Sequence, residues 1–284
     1  MKQLKEPGTG RRSFDRRQLI IAVVIVVLLG GGLWLGLAVR GGGQQQPPLG
    51  APPRPVPTAP TPSTGINLQG WKLTIPEQGK SGNAAIIEPA ATKQPWLTAS
   101  PDGSLTFWAP AEGATTKNSD HPRTELDSLN NFSAATSGPH TLKASLAVSQ
   151  VPADSKDIIL GQIHGADDIS SVPYVMLHYR NGQIRVVVKQ KQSGSEAQSF
   201  PLLPAVPLNQ RFDFTLSDTG NGTMVFTASY AGNTQTATAQ VPVAFHDETV
   251  RFQVGDYQQA DEPQGAKDGG QVTFYQINEL STAP

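Results

Sequence analysis

The chain has 284 residues with 22 Lys and Arg, 23 Asp and Glu and no cysteine, which excludes a disulfide framework and thiol chemistry. The net charge of −1 hides a division: residues 1–65 hold eight basic and two acidic side chains, and the other 219 hold 14 and 21. That acidic second part has no basic, aromatic-rich strip, which excludes nucleic-acid recognition.

Residues 1–18 are basic, with Lys2, Lys5, Arg11, Arg12, Arg16 and Arg17. Leu19–Val39 follows without a single charge, long enough to span a hydrocarbon core as one helix. Only Arg40 closely follows it, so the positive-inside rule places the N-terminus in the cytoplasm. The expected protein is a single-pass membrane protein whose bulk is extracytoplasmic, either periplasmic or extracellular. A cleavable signal peptide is the competing reading. The apolar run is long for that, Gly36-Leu37-Ala38 is a poor cleavage site, and Arg11-Arg12-Ser13-Phe14 only loosely resembles a twin-arginine signal. Residues 40–65 are rich in Gly, Gln and Pro and have little apolar surface to bury, which makes them a semi-extended tether.

From residue 66 to 284 the texture is all-β, with short alternating runs separated by Gly, Asn, Asp and Pro. Strands are expected at 73–75, 105–109, 141–148, 158–163, 174–179, 183–188, 211–216, 224–230, 234–241, 249–257 and 271–280. Asn181-Gly182 is a two-residue hairpin signal, and Asn221-Gly222 marks another turn. A short helix is expected at most around 83–88 or 93–97. So many strands without a repeat fit a two-sheet jelly-roll sandwich, one sheet curving into a concave groove.

Three strips place chemistry on one sheet face. In Gly161-Gln162-Ile163-His164-Gly165, alternation sends Ile163 to the core and puts Gln162 and His164 together, ~7 Å apart, on the other face. In Arg123-Thr124-Glu125-Leu126-Asp127, Arg123 and Glu125 share a face, so Glu125 can fix a guanidinium that presents its donors to an anion. In Arg251–Gln259, the core-facing Phe252 and Val254 alternate with Arg251, Gln253, Gly255, Tyr257 and Gln259. A mid-strand glycine beside Tyr257 is consistent with a bulge or with close approach of a ligand.

Together these strips resemble polysaccharide lyase family 7, the alginate lyases. Arg123-Thr124-Glu125-Leu126 is similar to the family's Arg-(Ser/Thr)-Glu-Leu strip, and Gln162-Ile163-His164 to its Gln-(Ile/Val)-His strip. Phe252 and Gly255-Asp256-Tyr257-Gln258-Gln259 resemble most of its Tyr-Phe-Lys-x-Gly-x-Tyr-x-Gln strip. Trp71–Pro76 resembles its opening strand and Val272–Ile277 its last. Three positions depart: Arg251 and Gln253 stand where the family has Tyr and Lys, and Asp127 where a second Arg commonly follows.

The resemblance implies β-elimination on a 4-linked polyuronate, an anionic polysaccharide, without metal or organic cofactor. Arg123 and Gln162 would neutralise the substrate carboxylate as an oxyanion site does. His164 would act as base and Tyr257 as acid, or Tyr257 as both with His164 in support. Glu125, Arg251, Gln253, Gln259 and Lys189 are expected to contact or organise the substrate. Ile163 is associated through the family with guluronate-containing stretches. An open groove implies endolytic cleavage by a monomeric catalytic domain. The departures and the acidic background favour weighing a second polymer, such as glucuronan, and a non-catalytic carbohydrate-binding jelly roll. His121, His140, His178 and His246 read as ordinary surface or core residues, Asp167-Asp168 as a solvated loop, Trp71 and Trp108 as core, and Tyr179 and Arg185 as weaker groove candidates.

Overall fold

The computed structural model describes residues 65–281. The apolar stretch Leu19–Val39 and nearly all of the tether lie outside the described residues. The strands are β1 Trp71–Gln78, β2 Ala84–Ile87, β3 Leu97–Ala99, β4 Leu105–Pro110, β5 Arg123–Ser128, β6 Phe132–Ser133, β7 His140–Gln150 and β8 Asp157–Gly165. They continue with β9 Pro173–Arg180, β10 Gln183–Lys189, β11 Ala197–Leu203, β12 Phe212–Asp218, β13 Thr223–Tyr230, β14 Asn233–Gln240, β15 Thr249–Gln258 and β16 Gly269–Ser281. The only helical segments among the described residues are two single 3₁₀ turns, Asp167–Ile169 and Val243–Phe245.

The strands form two sheets. One runs β11-β10-β9-β8-β15-β5-β1-β2, with β6 also on β15; the other runs β14-β13-β12-β7-β16-β4-β3. Strands distant in sequence, such as β8 and β15 or β7 and β16, pair antiparallel at the middle of each sheet. This is the all-β, jelly-roll-like sandwich expected from the alternation.

The two inner faces meet in one apolar core. Phe107 of β4 and Phe274 of β16 pack edge to face at 5.2 Å, and Phe252 of β15 lies 5.1 Å from Phe132. Each buried aromatic or aliphatic side chain contributes roughly 1.5–3 kcal/mol of transfer free energy. The same alternation leaves every second residue of β1, β5, β8 and β15 on the opposite face, where the chemistry is. At the β9–β10 hairpin, Asn181 and Gly182 both adopt positive φ (49° and 85°), as a type I′ turn requires.

The short helix is not formed. Ala84–Ile87 is an edge strand that pairs Ile87 with Leu73 and Ala85 with Ile75. Lys93 and Leu97 form an isolated bridge, and Leu97 opens β3. Unpaired edges of both sheets were available to these segments, and pairing outweighs weak helix propensity. β11 was not anticipated because Pro201 and a polar start disguise it. At a sheet edge a proline leaves no ladder bond broken.

Candidate active site

A cleft of about 250 Å³ lies on the outer face of the larger sheet. Its floor is Lys72 and Thr74 of β1, Arg123 and Asp127 of β5, Arg251, Gln253 and Tyr257 of β15, and Gln162 and His164 of β8. Thr116, Lys117 and Asn118 from the β4–β5 loop line it too, as do Ile86 of β2 and Ser170, Ser171 and Pro173 from the β8–β9 connection. Strand register fixes the arrangement. Lys72, Asp127, Gln253 and Gln162 stand opposite one another across four strands, Arg251 faces His164, and Arg123 faces Tyr257. A one-residue slip in any of these strands would send its polar set into the core.

Beneath the cleft runs a directional hydrogen-bond chain. Arg123 Nη1 donates to Glu125 Oε2 at 2.9 Å, and Gln162 Nε2 donates to Glu125 Oε1 at 2.7 Å. Gln162 Nε2 also donates to Gln253 Oε1 at 3.0 Å. Gln253 Nε2 in turn donates to Asp127 Oδ1, whose Oδ2 accepts Thr74 Oγ1 at 2.9 Å. The two carboxylates can only accept, so they fix both amides. Both protons of the Gln162 amide are consumed, and its buried Oε1 is left without a partner. The expected role of Gln162 as a donor to substrate therefore differs from this arrangement, in which it shows its oxygen.

Glu125 is completely buried. Burial pushes its carboxyl up, while the adjacent Arg123 opposes that rise. Two donors aimed at its oxygens and no acceptor for a proton favour the carboxylate. Burial alone would lower the Arg123 pKa, but Glu125, Tyr257 and Asp127 carry it above its ordinary value, so the guanidinium stays charged. Its Nε is buried and unpartnered.

His164 is nine-tenths buried. Burial pulls its pKa down to about 3, the Gly165 hydrogen bond opposes this, and Arg123 and Arg251 add to it. The ring is neutral. Nδ1 lies 3.0 Å from the Gly165 carbonyl, which can only accept, so Nδ1 carries the proton and Nε2 keeps a lone pair. Tyr257 lies under the Arg123 guanidinium, whose carbon is 3.5 Å from the ring centroid. Its hydroxyl is 2.9 Å from Ser119 Oγ, which donates its own proton to the His121 carbonyl. Tyr257 therefore donates to Ser119 and holds its lone pairs free.

Gly255 faces Glu125 on β5. A Cβ there would come within 2.5 Å of the Thr124 carbonyl oxygen and 2.8 Å of Glu125 Cα, so what approaches this glycine is the neighbouring strand. The β15–β8 register shifts between Val254 and Tyr257, which makes it a bulge glycine.

Arg123, Gln162, His164, Arg251, Gln253 and Tyr257 line one cleft, with Glu125 beneath them. Two expected contacts lie outside its lining. Gln259 turns its amide onto the carbonyls of Tyr257 and Gln258, and Lys189 sits at the far end of β10. Tyr179 faces the core, with its hydroxyl on the Val206 carbonyl at 2.7 Å. Asp167 and Asp168 are exposed, and the same connection sends Ser170 and Ser171 to the cleft. Lys72, Thr74, Ser119 and the 116–118 loop were missed. The first two alternate on β1 opposite core residues, a signal that was readable; the loop residues carry no periodicity.

The family model described as Alginate lyase matches residues 66–279. The chain belongs to the alginate lyases of polysaccharide lyase family 7.

The crystal structure of alginate lyase A1-II′, a member of that family, is 25% identical, covers 78% of this chain and 99% of its own, and superposes with a TM-score of 0.67. An alginate lyase from Pseudomonas aeruginosa is 24% identical over 76% of this chain and all of its own, with a TM-score of 0.66. One from Klebsiella pneumoniae, at 20% identity, covers 79% and 99% with a TM-score of 0.67 and shares the fold. No curated protein matches the chain significantly. The structure couples Asp127 and Gln253, two positions at which the sequence departs from the resemblance. An acceptor at 127 is matched by a donor amide at 253.

Proposed function

We propose that this lyase cleaves a 4-linked polyuronate, alginate first among candidates, by β-elimination within the cleft. The observation that carries the reading is the convergence of a neutral imidazole lone pair, a phenol and a buried cation on one cleft. Arg123 neutralises the substrate carboxylate, which acidifies the adjacent C5–H. His164 Nε2 takes the C5 proton, the electron pair forms the C4–C5 double bond, and the C4–O bond breaks. Tyr257 turns its proton from Ser119 to the departing glycosidic oxygen and gives it up there, and the cation against its ring stabilises the charge left on the phenol. Gln162, with its amide protons engaged, positions Glu125 and offers Oε1 to a sugar hydroxyl.

The low pKa of His164 supports a second reading, in which Tyr257 removes the C5 proton of the epimer whose C5–H faces it and passes that proton to the departing glycosidic oxygen. A1-II′ variants have been solved with the product GGG and the substrate GGMG, which fits a cleft taking several uronates.

We propose further that cleavage is endolytic, that the catalytic domain is monomeric, and that Leu19–Val39 anchors it at the cell membrane with the domain outside. The test is near-ultraviolet absorbance of the unsaturated product, using the full-length protein on separate polymannuronate, polyguluronate and glucuronan samples. A rise on alginate blocks supports the reading. A rise on glucuronan alone reassigns the polymer. Flat traces with retained affinity would make this a binding module. Membrane fractionation with alkaline extraction tests the anchor.

A further inference from the structure

A second charged group that the elimination does not use lies on the same sheet, beyond the lining of the cleft. Across the outer face one lateral row runs Arg123, Tyr257, Ile159, His178, Arg185, each opposite the next on adjacent strands β5, β15, β8, β9 and β10. Ile159 lies outside the hydrophobic cluster that holds its neighbours Ile158 and Leu160, so this row belongs to the cleft face. Arg185 stands three strand spacings from Tyr257, ~14 Å.

Its surroundings are built for an anion. Asp157, buried on β8, accepts His178 Nδ1 at 2.9 Å. Arg180 and Arg185 approach its other oxygen at 3.9 Å each, too long for a hydrogen bond. One carboxylate thus faces two guanidinium groups, and the cluster carries a net positive charge in an otherwise acidic domain. Arg185 Nε is buried without a hydrogen-bond partner, like Nε of Arg123 and of Arg251 in the cleft. The opposing residue on β11 is Pro201, which brings no charge, and Lys189 lies four residues along the same strand from Arg185.

We propose that Arg185, backed by Asp157 and His178, is a distal subsite that binds the carboxylate of a uronate residue several sugars from the scissile bond. This rests on the polyuronate reading of the cleft. A chain lying along the lateral row crosses the uncharged stretch at Ile159 and meets its next fixed cation at Arg185. The subsite rewards substrate length and is indifferent to the chemistry at Tyr257.

The test is calorimetric binding of a graded series of uronate oligosaccharides to full-length Tyr257→Phe protein, with and without Arg185→Ala. Thermal unfolding of both verifies the fold. The expected result is a loss of affinity that grows with oligomer length and reaches roughly fivefold to tenfold for the longest. Arg185→Lys, which keeps the charge and loses the fork, should fall between. An equal loss at every length, no loss at any length, or no binding at all overturns the subsite. Absence of turnover by the unmodified protein would instead overturn the lyase reading and leave this binding comparison intact.

Discussion

Replacing Tyr257 by Phe removes one oxygen from a ring that keeps its other contacts. The Arg123 guanidinium still lies 3.5 Å above the ring, and the strand register is untouched. The structural loss is the half-buried hydrogen bond to Ser119, about 1 kcal/mol. In the elimination proposed above, the catalytic loss is the proton delivered to the leaving oxygen, worth about 10²–10⁴ in rate, or roughly 3–5 kcal/mol of barrier. The two magnitudes separate cleanly. Product absorbance should fall by at least two decades in kcat while the thermal midpoint moves by a few degrees. If kcat drops less than tenfold with the fold intact, Tyr257 is not the proton donor and the elimination scheme is wrong.

Three further outcomes follow from the same geometry. His164 has a folded pKa of about 3 against an ordinary 6.5, so its contribution to stability is full above pH 6.5 and is lost as pH falls toward 3. Urea unfolding of His164→Asn between pH 7 and 4 should show an acid loss smaller by on the order of 3 kcal/mol, and parallel curves would contradict this. Asp127→Asn removes a negative charge beside Arg251 and Arg123. It should lower KM for a polyuronate roughly threefold at low salt, with the gain vanishing at high salt; an unchanged or higher KM counts against it. Gly255→Ala would drive a Cβ into the Thr124 carbonyl, so chemical denaturation should record a loss of roughly 2–3 kcal/mol, and a neutral result would mean that β5 and β15 separate freely.

Most of the sandwich was legible because a half-buried strand writes its burial into alternation. Phe212 to Leu216 and Phe252 to Val254 are examples, with every second residue in the core. Ala84–Ile87 was not, since four small and aliphatic residues fit a helix as well as an edge strand, and only the free edge of β1 decides. The cleft was legible where it lies on strands: the faces of Gln162, His164, Arg123 and Tyr257 follow from pleat parity alone. Residues 116–118 reach the cleft, and Ser119 reaches Tyr257, from a loop whose path depends on tertiary contacts. Nor does parity say which way an amide is turned. The orientation of Gln162 is set by Asp127, 35 residues away in the chain, through Gln253.

That orientation bears on how an acidic domain would receive the polyanion proposed as its substrate. Each carboxylate on the cleft face is buried against a partner: Glu125 holds Arg123, Asp127 holds Gln253 and Thr74, and Asp157 holds His178. These carboxylates are buried, whereas the guanidinium groups of Arg123, Arg251 and Arg185 retain a buried Nε without a hydrogen-bond partner, that of Arg251 lying 3.9 Å from Asp127 Oδ1. Burying a donor unpaired costs about 1–3 kcal/mol. Three such donors on one face are a standing cost in the free protein. The acidic residues of this face therefore act as fixtures that hold cations in place. The domain's overall charge opposes encounter at long range, while the local field along Arg251, Arg123 and Arg185 draws the chain in once it is within a Debye length.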